Sequence, residues 1–174
     1  MSDTDRTTEE ETTKSVGRYR LVRRISTTPC GPEHLAIHKT AGGLVAPCRV
    51  VLVPSDLAGD HGKTLTQIRP LLALNHTGLI RMIDAGSAEG QLYVAYEHFV
   101  GRTLAVVLRD HEKRQGPIQP SIAALVAIVV TRGLAYALKH GRAPVSQAHG
   151  LVELPYVYIA DDGQIRLMHF GLPR

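Results

Sequence analysis

The chain has 174 residues, with 20 basic and 16 acidic side chains and a formal net charge of +4, enough for one domain or slightly more with a real core. Its two cysteines, Cys30 and Cys48, exclude a disulfide framework and supply no metal-ligand spacing. The longest apolar run, IAALVAIVV at 122–130, is well short of the ~20 residues of a membrane span, so no membrane segment and a cytoplasmic location are expected.

Residues 1–16 read as a disordered acidic tail rich in Thr and Glu, polar throughout and unlike a secretory signal. Thr12 and Thr13 sit beside acids, as phosphorylated tails do, but a solubilising terminus is the simpler reading. The stretch GRYRLVRR concentrates arginines. With no aromatic interleaving and no reading helix, it is better explained as a solvated strand face than as a nucleic-acid surface.

From Tyr19 the pattern alternates. RYRLVRRIS, HLAIHK and LVAPCRVVLV read as strands, separated by the turns TTPCGP and TAGG. KTLTQIRPLLALN carries helical spacing at Leu65, Ile68, Leu71 and Leu72. Pro70 is tolerated only in a helix's first turn, which puts the start of that helix near Gln67. GLIRMIDAG and QLYVAYEHF form two further strands across SAEG, and VGR is a linker. TLAVVLRDHEK is a short helix. SIAALVAIVVTRGLAYALKHG is a long one, starting at Pro120 or Ser121 and stopping at Gly141. YVYIA and QIRLM make a closing hairpin over DDG.

The stretch AGDHGKT places Gly62, Lys63 and Thr64 before a helix, as a phosphate loop does. The motif also needs a glycine where this chain has Leu57, so an ordinary solvated helix start is expected. His38, His61, His76 and His111 show no ligand spacing and read as surface or capping residues.

The ordered series GRYRLVRRI, LLALNHTGLIRMIDAG, LYVAYEHFVGRTLAVVLR, GLAYALKHG and IADDGQIRLMHFGLPR resembles the eukaryotic-type protein kinase domain, especially that of bacterial Ser/Thr kinases. The resemblance implies an α+β fold: an amino-terminal lobe over 17–98, with a five-stranded antiparallel sheet and one helix. A hinge and the beginning of the helical carboxy-terminal lobe follow over 99–174, ending just after the equivalent of Asp-Phe-Gly.

Carried onto this chain, the family's functional positions are mostly altered. The three glycines of the phosphate loop fall on Ser26, Thr28 and Gly31, with Pro29 and Pro32 stiffening the loop. The phosphate-gripping lysine falls on Arg49, or on Cys48 under a shorter alignment, and its glutamate partner on Gln67, so that ion pair cannot form. The catalytic loop HGLVELPYV keeps His149 but has Leu151 for the catalytic aspartate, Glu153 for the lysine and Tyr156 for the metal-binding asparagine. His169 stands for the metal-binding aspartate, with Phe170 and Gly171 kept. The column of packing residues that links the lobes falls on Leu71, Met82, His149 and Phe170. Positions around an adenine fall on Glu33, on Pro47 or Ala46, and on Tyr158, with Tyr96 behind them; a buried carboxylate and phenol are hostile to the base.

The resemblance therefore implies a pseudokinase with no catalytic residues, no metal and no cofactor, binding a protein partner or itself through the long helix 120–140, whose apolar residues cover more than one face. The alternative is a divergent kinase that still binds ATP and magnesium through Arg49 and Gly31. A fragment with no selected function is a third reading.

Overall fold

A computed structural model describes residues 14–28, 30–140 and 152–169. Thr12, Thr13, Pro29, Gly141, His149, Leu151, Phe170 and Gly171, all singled out above, lie outside the described residues.

Strands β1 (Ser15–Val16), β2 (Tyr19–Thr28), β3 (Gly31–Lys39), β4 (Val45–Val53), β5 (Met82–Ala88) and β6 (Gln91–Glu97) form an antiparallel sheet ordered β1-β2-β3-β4-β6-β5. The five expected strands are present, and β1 is added at one edge. Val16, assigned above to the tail, pairs with Tyr19 and is 4% exposed, so the ordered fold includes the last residues of that segment. A two-residue strand is too short to register as a pattern in sequence.

Strands β4 and β6 are central and buried on both faces, and strand alternation splits their side chains between two cores. Val51, Val53, Leu92, Val94 and Tyr96 face one core; Cys48, Val50, Leu52, Tyr93 and Ala95 face the other. Two irregularities in β2, between Leu21 and Arg23 and between Arg24 and Ser26, bend that strand over the second core. The Tyr19 hydroxyl then donates to Asp84 on β5 at 2.9 Å, linking strands from the two sides of the curled sheet.

After β4 come helices α1 (Ser55–Ala58) and α2 (His61–Ile68). The Asp60 carboxylate caps α2, accepting from the Gly62 and Lys63 amides at 2.9 and 3.2 Å. A carboxylate therefore already satisfies the amides that a phosphate loop would offer. The placement of the helix start near Gln67 is overturned. The α-helix precedes Pro70 and ends at Ile68, and Pro70 lies at the start of a separate 3-10 turn, Arg69–Ala73. Proline's missing donor is harmless at the first position of either turn type, and sequence could not tell a new turn from the helix itself.

Strand β7 (Gly101–Thr103) replaces the expected linker and pairs with β8 (Val157–Ala160), which pairs with β9 (Ile165–Leu167). A Cβ at Gly101 would lie 2.4 Å from the Ile159 carbonyl oxygen, so the close pairing depends on glycine. Helix α3 (Leu104–Gln115) and helix α4 (Pro120–His140) follow β7 in sequence. The two parts of the molecule meet along the backbone: the Leu167 amide donates to Gly78 at 2.8 Å, and the Ile80 amide to Leu167 at 2.9 Å.

Helix α4 seats one stripe, Val126, Val130, Gly133 and Ala137, on the fold and leaves Ile122, Leu125, Ile128 and Leu138 exposed. By length and composition it is apolar enough to cross a membrane, contrary to the expectation drawn from its longest uninterrupted run; about 22% of its apolar window is buried here.

Candidate functional site

The positions that the resemblance assigns to a nucleotide cleft meet where β2–β4, the hinge after β6 and the β8–β9 hairpin come together. Strand alternation decides which strand-four residue points there. Cys48 faces the second core, where burial pushes its thiol up to about 11. Arg49 faces the opposite way, toward Glu33 and the hinge, and is 6% exposed.

Arg49 makes contacts in three directions. One terminal nitrogen donates to the Glu33 carboxylate at 3.0 Å and the other to the Phe99 carbonyl of the hinge at 2.9 Å. Its guanidinium carbon lies 5.4 Å from the Phe99 ring centroid and 5.2 Å from that of Tyr158 on β8, within cation–π range of both. The two rings meet edge to face at 5.4 Å. Glu33 is fully buried and accepts a second hydrogen bond from Ser26 at 2.7 Å. The Glu33 carboxylate is thus half of an ion pair, and the cation that the resemblance pairs with a helix glutamate pairs across the sheet instead. Gln67 is exposed. Burial pushes the Tyr158 phenol up to about 12, with the adjacent Glu33 adding to the rise.

The phosphate-loop positions are also built differently from a mobile glycine loop. The β2–β3 ladder stays paired to Thr28 opposite Gly31, and the Thr28 hydroxyl donates to the Gly31 carbonyl at 2.9 Å. Cys30 at the hairpin tip is fully buried in the same core as Tyr96. Gly31 has φ of +125°, and a Cβ there would lie 2.0 Å from the Leu52 carbonyl oxygen, so this glycine is required by close packing against β4.

Below the ion pair, the positions that the resemblance assigns to metal ligands form part of an aromatic cluster. His169 is fully buried with φ of +64°, its ring edge-on to Tyr156 at 5.3 Å and to Tyr96 at 5.8 Å. It lies in the loop just past β9, with its ring in the core. Tyr156 is 1% exposed; Tyr96 is fully buried, and desolvation raises its phenol well above the ordinary value. Among the described residues, no group of three His, Cys, Asp or Glu side chains is placed to hold a metal ion. Of the packing column, Leu71 and Met82 are buried, at 2% and 3% exposure. Pro47 is exposed and Ala46 half-buried, so neither closes over the cleft as Glu33 does.

Sequence reasoning missed Phe99 and Arg166. A backbone carbonyl acceptor such as that of Phe99 has no signature in sequence. Arg166 on β9 donates to Glu97 at the end of β6 at 2.9 Å, and that contact depends on how the hairpin docks.

No family model matches the chain. It is 30% identical over 132 residues to the Ser/Thr protein kinase PknL of Mycobacterium tuberculosis, aligning over 74% of this chain and 31% of that protein. It is 29% identical over 132 residues to the Ser/Thr protein kinase PknB of Mycolicibacterium smegmatis, over 72% of this chain and 20% of that protein. The chain thus spans about a third or less of these curated relatives. Among solved structures it superposes on the PknI kinase domain of M. tuberculosis with a TM-score of 0.77 at 19% identity, covering 92% of this chain and 61% of that one. A second PknI kinase domain structure matches with a TM-score of 0.75 at 21% identity, over 93% and 63%. The curled sheet, hinge and hairpin, taken with the sequence similarity to bacterial Ser/Thr kinases, identify the chain as a protein-kinase-like domain: an amino-terminal lobe with part of a carboxy-terminal lobe.

Proposed function

We propose that this protein-kinase-like domain is catalytically inactive and works by binding another protein or a second copy of itself. The observation that carries this reading is the buried Arg49–Glu33 ion pair in the cleft. Its carboxylate and guanidinium, with Phe99 and Tyr158 against them, take up the donors, acceptors and ring faces that an adenine nucleotide would need. The residues present do not fit ATP with magnesium. The metal-ligand positions carry a phenol and an imidazole in edge-to-face contact, where magnesium requires hard oxygen ligands. The catalytic aspartate is replaced by Leu151. On this reading the domain has no cofactor and no metal, and it acts in the cytoplasm on protein, with no role for nucleic acid or membrane. The exposed apolar face of α4 is the surface it offers.

A thermal-shift titration with ATP, with and without magnesium or manganese, tests the proposal. A ligand specific for the native state at 100 times its Kd adds ~2.7 kcal/mol of stability. The expected outcome is a cooperative melt with no shift. The rival reading, a divergent kinase that still binds ATP, draws on the cation kept at Arg49 and on similarity to proteins named as Ser/Thr kinases. A clear magnesium-dependent shift would favour it.

A further inference from the structure

We propose that Arg49 is an internal clamp that holds the two lobes around the cleft in place of a bound ligand. One side chain joins four segments: β4, which carries it; β3, through Glu33; the hinge, through the Phe99 carbonyl; and β8 of the carboxy-terminal lobe, through the face of Tyr158. The first two segments lie in one lobe, the last in the other, and the third joins them. The guanidinium is suited to this because its planar fork donates in two fixed directions while its face stacks on an aromatic ring; a lysine ammonium is a compact point charge with neither the fork nor a planar face. All the groups involved are nearly excluded from water, where charge-assisted hydrogen bonds are strongest.

The wider surroundings fit a built connection. Glu33 is fixed from its other side by Ser26, so the carboxylate cannot rotate away without losing a second bond. The Phe99 ring is within cation–π range of two cations, Arg49 at 5.4 Å and Arg166 of β9 at 5.9 Å, the latter also paired with Glu97. The hinge carries His98, whose pKa is held below the ordinary value by burial and by the charge on Arg49. The consequence is that the unliganded domain keeps one inter-lobe arrangement and presents a constant surface to whatever it binds. The clamp rests on contacts within the unliganded protein, so it stands or falls separately from the loss of nucleotide binding.

Amide hydrogen exchange on the whole chain without ligand tests it. Arg49→Lys keeps the charge beside Glu33 but loses the fork. The expected result is roughly tenfold faster exchange in both 31–36 of β3 and 157–160 of β8, with unchanged circular dichroism. Faster exchange confined to β3 and β4 would overturn the clamp and leave Arg49 a local packing residue. Tyr158→Leu is the reciprocal probe and covers the case of an unfolded Arg49 variant. It removes the carboxy-lobe contacts of both Arg49 and Glu33, and the clamp predicts loosening that reaches beyond Glu33 to Leu35 and to Arg49 on β4. Unchanged protection there overturns the proposal. The ATP titration is read separately on the wild-type chain: a shift there defeats the inactive reading while the exchange data still decide the clamp.

Discussion

At Arg49 a single substitution separates the cost of breaking a buried pair from the worth of having one. Arg49→Met leaves the fully buried Glu33 carboxylate with only the neutral hydroxyls of Ser26 and Tyr158 and is expected to cost ~3–5 kcal/mol in denaturant unfolding. Replacing both partners, Glu33→Met with Arg49→Met, removes the stranded charge, and most of that loss should return. A double variant as unstable as the single one would mean that the guanidinium stabilises mainly through the hinge carbonyl and the two rings. The residue-level lesson is that Glu33 and Arg49 looked like two separate departures from a family pattern. They are one feature, because positions sixteen apart in sequence meet across the β3–β4 ladder.

Among the elements, the described residues of the β2–β3 hairpin form a packed corner against β4. Gly31→Ala would press a methyl group onto the Leu52 carbonyl oxygen and hold a non-glycine residue at φ of +125°. A loss of at least ~1–3 kcal/mol is expected, read as a lowered Tm. A variant as stable as wild type would show that the hairpin can move away from β4. Helix α4 has two unlike faces. Its seated stripe ends in close contacts, with a Cβ at Gly133 only 3.1 Å from Leu79, whereas Ile122 and Leu125 are 44% and 53% exposed. Replacing both by Glu should leave stability within about 0.5 kcal/mol per site. It should also abolish any concentration-dependent association seen by sedimentation, and association that survived would place the contact elsewhere.

For the whole molecule, alkaline pH probes the buried phenols together. The folded protein holds the Tyr158 proton more tightly than the unfolded chain does. That contribution is complete below the ordinary tyrosine value of about 10 and is lost as pH rises through about 12. Tyr96, raised well above the ordinary value, works in the same direction. Stability should therefore fall steeply above pH ~10, with the buried tyrosines ionising only as the chain unfolds, visible in tyrosinate absorbance. Ionisation of every tyrosine ahead of unfolding would contradict the buried placements of Tyr96 and Tyr158. The same scale accounts for the join between lobes. Backbone bonds from residues 78–80 to Leu167, the Arg166–Glu97 pair and the Arg49 contacts all cross it, so the lobes are connected at several points and not by the hinge alone.

The strands, the two helices after the hinge, the closing hairpin and the kinase-like order of elements were legible in sequence. Each is set by local pattern: alternation, helical spacing, and glycine or proline at turns. The residue types at the positions the resemblance assigns to the site, Ser26, Thr28, Gln67, Tyr156 and His169, were equally plain, because a side chain's type needs no coordinates to recognise. Three local readings failed where the pattern was too short or ambiguous: the edge strand at Ser15–Val16, the turn opened by Pro70 and the strand at Gly101–Thr103. What occupies the cleft was decided only by tertiary structure. Glu33 and Arg49 meet through strand pairing, and Tyr96, Tyr156 and His169 through packing between lobes. Local sequence determines which element a residue joins and which face it takes. Contacts across 16 to 109 residues of chain, the separations of Arg49 from Glu33 and Tyr158, depend on how those elements close on one another.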